Sequence, residues 1–112
     1  QIKDPDEIQE LRLAIHQAER GFELMRSQIL PDQTERQAAH ELEHGMRRFG
    51  ALRAAFEPII AVGDRAALPH YRAGLRQFRE SGFALIDWGA ISPRGYHSDL
   101  TRILVTSKLP PK

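Results

Sequence analysis

Two strand-like runs, Phe83 to Ala90 and Tyr96 to Val105, flank Ser92-Pro93-Arg94-Gly95, and this arrangement restricts the fold more than any other stretch of the chain. Proline at 93 suits the second position of a type I turn and glycine at 95 suits a left-handed residue, so the pattern predicts a β-hairpin. Upstream, Pro58-Ile59-Ile60-Ala61-Val62-Gly63 is a short run rich in β-branched residues and reads as a further strand. From Asp64 to Gly82, Pro69, Gly74 and scattered charges leave little periodicity, with room for one helical turn around Leu75, Phe78 and Arg79.

The first half of the chain reads differently. Ile8, Leu11, Ile15, Ala18, Phe22, Met25 and Ile29 alternate at intervals of three and four, which predicts one long helix with these residues on its buried stripe. Asp4 is placed as its N-cap, Pro5 as the first helical residue and Glu7 as the acid of a capping box. Leu30-Pro31-Asp32-Gln33 then breaks the helix. Thr34 and Gln37 repeat the capping-box spacing at the start of a second helix, whose apolar face carries Ala39, Leu42, Met46 and Phe49 and which stops near Gly50. Two helices followed by a small antiparallel sheet define an α+β class, a helical hairpin packed on that sheet.

Composition narrows the function. At 112 residues the chain is sized for one domain, residues 1–112, and 41% hydrophobic with 28% charged residues is ordinary for a globular chain. A net charge of +1 provides no field to draw it to nucleic acid or to an anionic membrane surface. The sequence contains no cysteine, so disulfides and thiolate metal sites are excluded and a reducing, cytoplasmic setting is expected. It opens on Gln1 with no signal peptide, and both ends are expected to be cut.

The hairpin carries the candidate chemistry. Aspartate is depleted from strand interiors, yet Asp87 ends the Phe83-Ala84-Leu85-Ile86 run and Asp99 sits inside the return strand. They stand twelve residues apart, and an even separation around a turn centred on a single residue sends both side chains to the same side of the sheet. Two carboxylates about 4 Å apart repel by roughly 4 kcal/mol at an effective dielectric near 20, so a fold that keeps both charged wants a cation between them. An all-oxygen pair suits a divalent ion such as manganese, cobalt or zinc. The residues alone leave open the alternative that one Asp faces solvent while the other pairs with Arg102 or caps the turn.

His40-Glu41-Leu42-Glu43-His44 matches the H-E-x-x-H pattern of zinc peptidases. With Leu42 at the centre of the buried face, both histidines fall on the opposite side of the helix and should face water. Nothing downstream supplies a third ligand with recognisable spacing. His70, in Leu68-Pro69-His70-Tyr71, lies in a loop where a lone histidine is ordinarily a surface residue.

Taken together, these segments resemble the Xaa-Pro peptidases and prolidases of the pita-bread fold, the group that also contains methionine aminopeptidases and creatinase. Ile2-Lys3-Asp4-Pro5-Asp6-Glu7-Ile8 is similar to the opening of the catalytic domain, and Leu30-Pro31-Asp32-Gln33-Thr34-Glu35 to the turn between its first two helices. Gly63 through Leu68-Pro69-His70-Tyr71 is similar to the loop bearing the substrate-side histidine. Leu85-Ile86-Asp87-Trp88-Gly89-Ala90 with Gly95-Tyr96-His97-Ser98-Asp99-Leu100-Thr101-Arg102 resembles the strand pair holding the first two metal ligands. The resemblance implies that Asp87 and Asp99 are those ligands, that His70 assists proton movement at the substrate, and that residues 1–112 form the first half of the catalytic domain. It also implies two divalent metal ions, with a further His and two Glu supplied by a second half. The family's two aspartates are usually eleven apart, so the spacing of twelve implies one more residue in the turn.

By the same resemblance the substrate is a peptide with proline in second position, and the chain alone is expected to be inactive and to bind metal weakly or not at all. Methionine aminopeptidase-like or creatinase-like chemistry and a non-catalytic protein-binding module remain as alternatives. A half-fold exposes apolar surface, which leaves room for a homodimer.

Overall fold

The computed structural model describes residues 4–68 and 71–106. Helix α1 spans Pro5–Gln28 and helix α2 Glu35–Arg48. Both capping boxes form as expected. The Asp4 carboxylate accepts from the Glu7 N–H at 2.9 Å and the Thr34 hydroxyl from the Gln37 N–H at 3.1 Å. Gly50 follows the C-cap of α2 with φ of 98°, the left-handed stop.

The strands are β1 (Arg53–Ala54), β2 (Ile59–Val62), β3 (Phe83–Trp88), β4 (Ala90–Ile91) and β5 (Leu100–Val105). β2, β3 and β5 form a three-stranded antiparallel sheet in that order, and β1 pairs with β4. Ala54 opposes Ala90 and Ile59 opposes Asp87, five residues against three, so the chain takes up two extra residues between β1 and β2. The segment before β3 holds two short 3-10 turns, Gly63–Ala67 and Phe78–Glu80, where the sequence has no periodicity to sustain a longer element.

Alternation along the sheet decides which side chains face the helices. Ile60 and Val62 of β2, Ala84, Ile86 and Trp88 of β3 and Leu104 of β5 are buried against them. Leu42 and Met46 of α2 and Ala18 and Met25 of α1 complete this core.

The stripe expected on α1 is only partly the buried one. Ala14, Gln17, Ala18, Gly21 and Met25 are buried in α1, whereas Ile8 and Ile15 are exposed. The cause is the helix crossing. A Cβ built on Gly21 would lie 2.6 Å from Met46 Cγ, and one on Gly45 would lie 3.0 Å from the Gly21 carbonyl oxygen, so the helices approach through their smallest residues. That close approach turns the small-residue face inward and leaves the larger Ile15 on the flank. In α2, Ala39, Leu42 and Met46 are buried as expected, while Phe49 is left exposed with the guanidinium of Arg20 above its ring.

Candidate metal centre

The hairpin forms at the expected turn. The Gly95 N–H donates to the Ser92 carbonyl at 2.8 Å, Gly95 has φ of 88°, and the Ser92 N–H donates to the Tyr96 carbonyl at 2.8 Å. This is a three-residue loop closed by a left-handed glycine. The same register holds on both sides of a break at Gly89 and Ala90, with Ile91 opposite His97, Trp88 opposite Leu100 and Asp87 opposite Thr101.

This register puts Asp87 and Asp99 on the same face, the one turned away from the helices. They are diagonal neighbours, because Thr101 stands directly across from Asp87 and its hydroxyl lies 3.4 Å from Asp87 Oδ1. Asp87 is half-buried and Asp99 exposed. Burial, and then the charge of Asp99 and a hydrogen bond with it, hold the Asp87 carboxyl above the usual carboxylate range. The alternative pairing with Arg102 is not adopted. Arg102 projects from the helix side of β5, where it meets Glu19 of α1 at 3.4 Å and lies over the Trp88 ring.

Trp88 explains the orientation of its neighbour. Its indole N–H donates to the Ala18 carbonyl at 2.9 Å and its ring stacks on Phe22 with centroids 4.8 Å apart. Locked against α1, Trp88 forces residue 87 to the opposite face of the strand. Ser98 acts alike on the return strand, its hydroxyl bonded to the Ala14 carbonyl at 2.9 Å and accepting from the Ala90 N–H at 3.0 Å, which leaves Asp99 to project outward.

His70 lies outside the described residues. The segment after it is held by Glu35, a contact the sequence does not announce because an acid in the first turn of a helix ordinarily serves the helix dipole. His40 and His44 are exposed, as their helix phase required. Among the described residues no group of three or more His, Asp or Glu side chains is placed to hold a metal ion. A cleft of about 610 Å³ opens elsewhere, between α1 and β5, with Glu19, Phe22, Trp88 and Arg102 in its wall and neither aspartate.

The donor set can be tested for its fit to a divalent ion. The carboxylates of Asp87 and Asp99 interact on one face of the hairpin, burial and then the charge of Asp99 hold the Asp87 carboxyl up, and among the described residues no basic side chain is paired with either. A hard cation would relieve that repulsion, so the residues present fit part of a metal site.

Two helices packed on small antiparallel sheets, with a carboxylate pair on the outer sheet face, make this chain half of a pita-bread fold. The profile of metallopeptidase family M24 matches residues 9–112, and the chain belongs to that family. It is 35% identical over 104 residues to the Xaa-Pro dipeptidase of Pyrococcus furiosus, covering 93% of this chain and 30% of that protein. The structure of an X-Pro aminopeptidase from Thermotoga maritima is similar with a TM-score of 0.85 and 38% identity, over 93% of this chain and 29% of that one. An Xaa-Pro dipeptidase from Bacillus anthracis is similar with a TM-score of 0.85 and 39% identity over the same shares, 93% and 29%. The chain therefore spans about three tenths of the length of these relatives.

Proposed function

We propose that residues 1–112 are the first half of the catalytic domain of a metallopeptidase that hydrolyses peptides at Xaa-Pro bonds. The observation that carries this reading is the convergence of Asp87 and Asp99 on the outer sheet face, with the Asp87 carboxyl held up by burial and by its neighbour. In this reading both aspartates are ligands to a pair of divalent ions, manganese, cobalt or zinc, and further ligands come from outside the described residues. The ions, when bound, polarise the scissile carbonyl and lower the pKa of a water molecule.

The chain's own residues have separate tasks. Asp87 and Asp99 would hold the cations in place, and the Thr101 hydroxyl, 3.4 Å from Asp87 Oδ1, steadies the Asp87 carboxylate. His70 donates or accepts a proton at the substrate as the carbonyl carbon becomes tetrahedral. The names of the similar proteins, X-Pro aminopeptidase and Xaa-Pro dipeptidase, support proline in the second position over methionine aminopeptidase or creatinase chemistry. A sequence without cysteine supports a reducing, cytoplasmic setting.

The test is peptide hydrolysis by the full-length protein with and without Asp99→Ala. Loss of metal-dependent cleavage of Xaa-Pro peptides is expected. Full activity in the variant would remove the assignment.

A further inference from the structure

Glu35 is a buried carboxylate with no exposed surface, and α2 alone does not need it there. Its Oε2 accepts from the Val62 N–H at 2.7 Å, and its Oε1 accepts from the Gly74 N–H at 2.9 Å and from the Tyr71 hydroxyl. These three donors belong to two different parts of the chain. Val62 closes β2, the strand on which Ile59 stands beside Asp87. Tyr71 and Gly74 belong to the segment that begins directly after His70 in the sequence.

That segment has little structure of its own. From 71 to 77 it contains no helix or strand, and it is held by the start of α2 instead. The Arg36 N–H donates to the Gly74 carbonyl at 2.9 Å, the Glu35 N–H donates to the Arg76 carbonyl at 3.0 Å, and Thr34 forms a bridge with Gln77. Space is tight at the junction. A Cβ on Gly74 would lie 3.1 Å from the Tyr71 hydroxyl and 3.4 Å from Glu35 Oε1. Arg65 reinforces the far side, donating to the Tyr71 hydroxyl at 3.3 Å with its guanidinium over the ring.

Burying a carboxylate is costly, and a helix start needs only a cap, which Thr34 already provides. The cost is offset by three converging hydrogen bonds whose common effect is to fix the 71–74 segment against the end of β2. We propose that Glu35 is a positioning residue, setting the segment that follows His70 in register with the sheet that carries Asp87. The proposal rests on the reading of His70 and Asp87 given above. Misplacing a reacting group by about 1 Å costs up to about a hundredfold in rate, so a tether of this kind has a measurable effect on turnover.

The substitution Glu35→Gln separates the two arms. An amide has one acceptor oxygen and one donor group, so it cannot accept from Val62 on one side and from Gly74 on the other. Tyr71→Phe is the milder variant, removing one hydroxyl from the loop arm while leaving the Val62 arm intact. Both are made in the full-length protein and assayed on an Xaa-Pro dipeptide and tripeptide. Manganese binding is followed by calorimetry and amide exchange at residues 62 and 71–74 by mass spectrometry.

For Glu35→Gln the expected result is kcat lowered about tenfold or more with KM and manganese affinity within about threefold. Exchange should be faster at 71–74. Tyr71→Phe should shift kcat and exchange in the same direction by a smaller factor, and it carries the test if Glu35→Gln does not fold. Wild-type kcat per folded molecule in the variants, with only a lower melting temperature, would overturn the proposal and make Glu35 a support for the fold alone. A wild-type protein that cleaves no Xaa-Pro peptide would instead overturn the functional reading, and the positioning role with it.

Discussion

The indole N–H of Trp88 and the carbonyl of Ala18 form a 2.9 Å hydrogen bond that ties the end of β3, the central strand, to the middle of α1. Because Asp87 precedes Trp88 on the strand, this bond also decides which way the carboxylate points. Trp88→Phe keeps an aromatic ring on Phe22 but loses the donor and part of the buried surface. The expected cost is about 1–3 kcal/mol, read as a lower urea midpoint with the same slope. Unchanged stability would show that the Trp88 anchor contributes little.

Gly89 admits no side chain. A Cβ there would stand 1.8 Å from the Ser98 carbonyl oxygen, which is backbone and cannot swing aside. Gly89→Ala should therefore force the hairpin strands apart next to Asp99 and destabilise by about 3 kcal/mol or more. Gly82→Ala provides the comparison, since nothing lies within 4 Å of its added Cβ. That variant should stay within about 1 kcal/mol of the wild type. Equal urea midpoints for the two variants would contradict this account.

Local signals were legible in the sequence and tertiary ones were not. The capping boxes at Asp4 with Glu7 and at Thr34 with Gln37 need only residues three apart, so their spacing announces them. The shared face of Asp87 and Asp99 follows from an even separation across a recognisable turn. Their diagonal offset does not, because it depends on where the turn is centred, and both Pro93 and Arg94 satisfied the pattern. The exposure of Ile8 and Ile15 was hidden because the Gly21–Gly45 contact sets the roll of α1, and that contact joins residues far apart in the chain. Glu35 was hidden for the same reason, since its partners Val62, Tyr71 and Gly74 lie 27 to 39 positions away.

Tyr71 gives the chain an alkaline signature. Burial, and then the hydrogen bond to Glu35 and its charge, push the phenol above its usual range. The folded state thus keeps a proton that the unfolded state releases near pH 10. The Tyr71 contribution to stability is complete below that pH and is lost as the pH rises toward the folded-state value. Urea midpoints measured upward from pH 9 should fall more steeply for the wild type than for Tyr71→Phe. Parallel curves would show that the phenol does not titrate differently on folding.

The carboxylate pair makes opposite demands on stability and on metal binding. In the absence of metal, the charge of Asp99 beside the half-buried Asp87 works against the fold, so neutralising either partner should raise the melting temperature of the metal-free chain. Asp87→Asn and Asp99→Asn are each expected to do so near pH 7, by an amount that salt reduces. Among the described residues these two carboxylates have no third ligand beside them, so residues 1–112 alone should bind manganese weakly if at all. Titration calorimetry on the chain should show no tight site, and the weak heat that remains should vanish in either variant. Two tight sites would mean that the ligand set is already complete within the chain. A drop in melting temperature for both Asn variants would mean that the aspartates stabilise the sheet by pairing with something other than a metal.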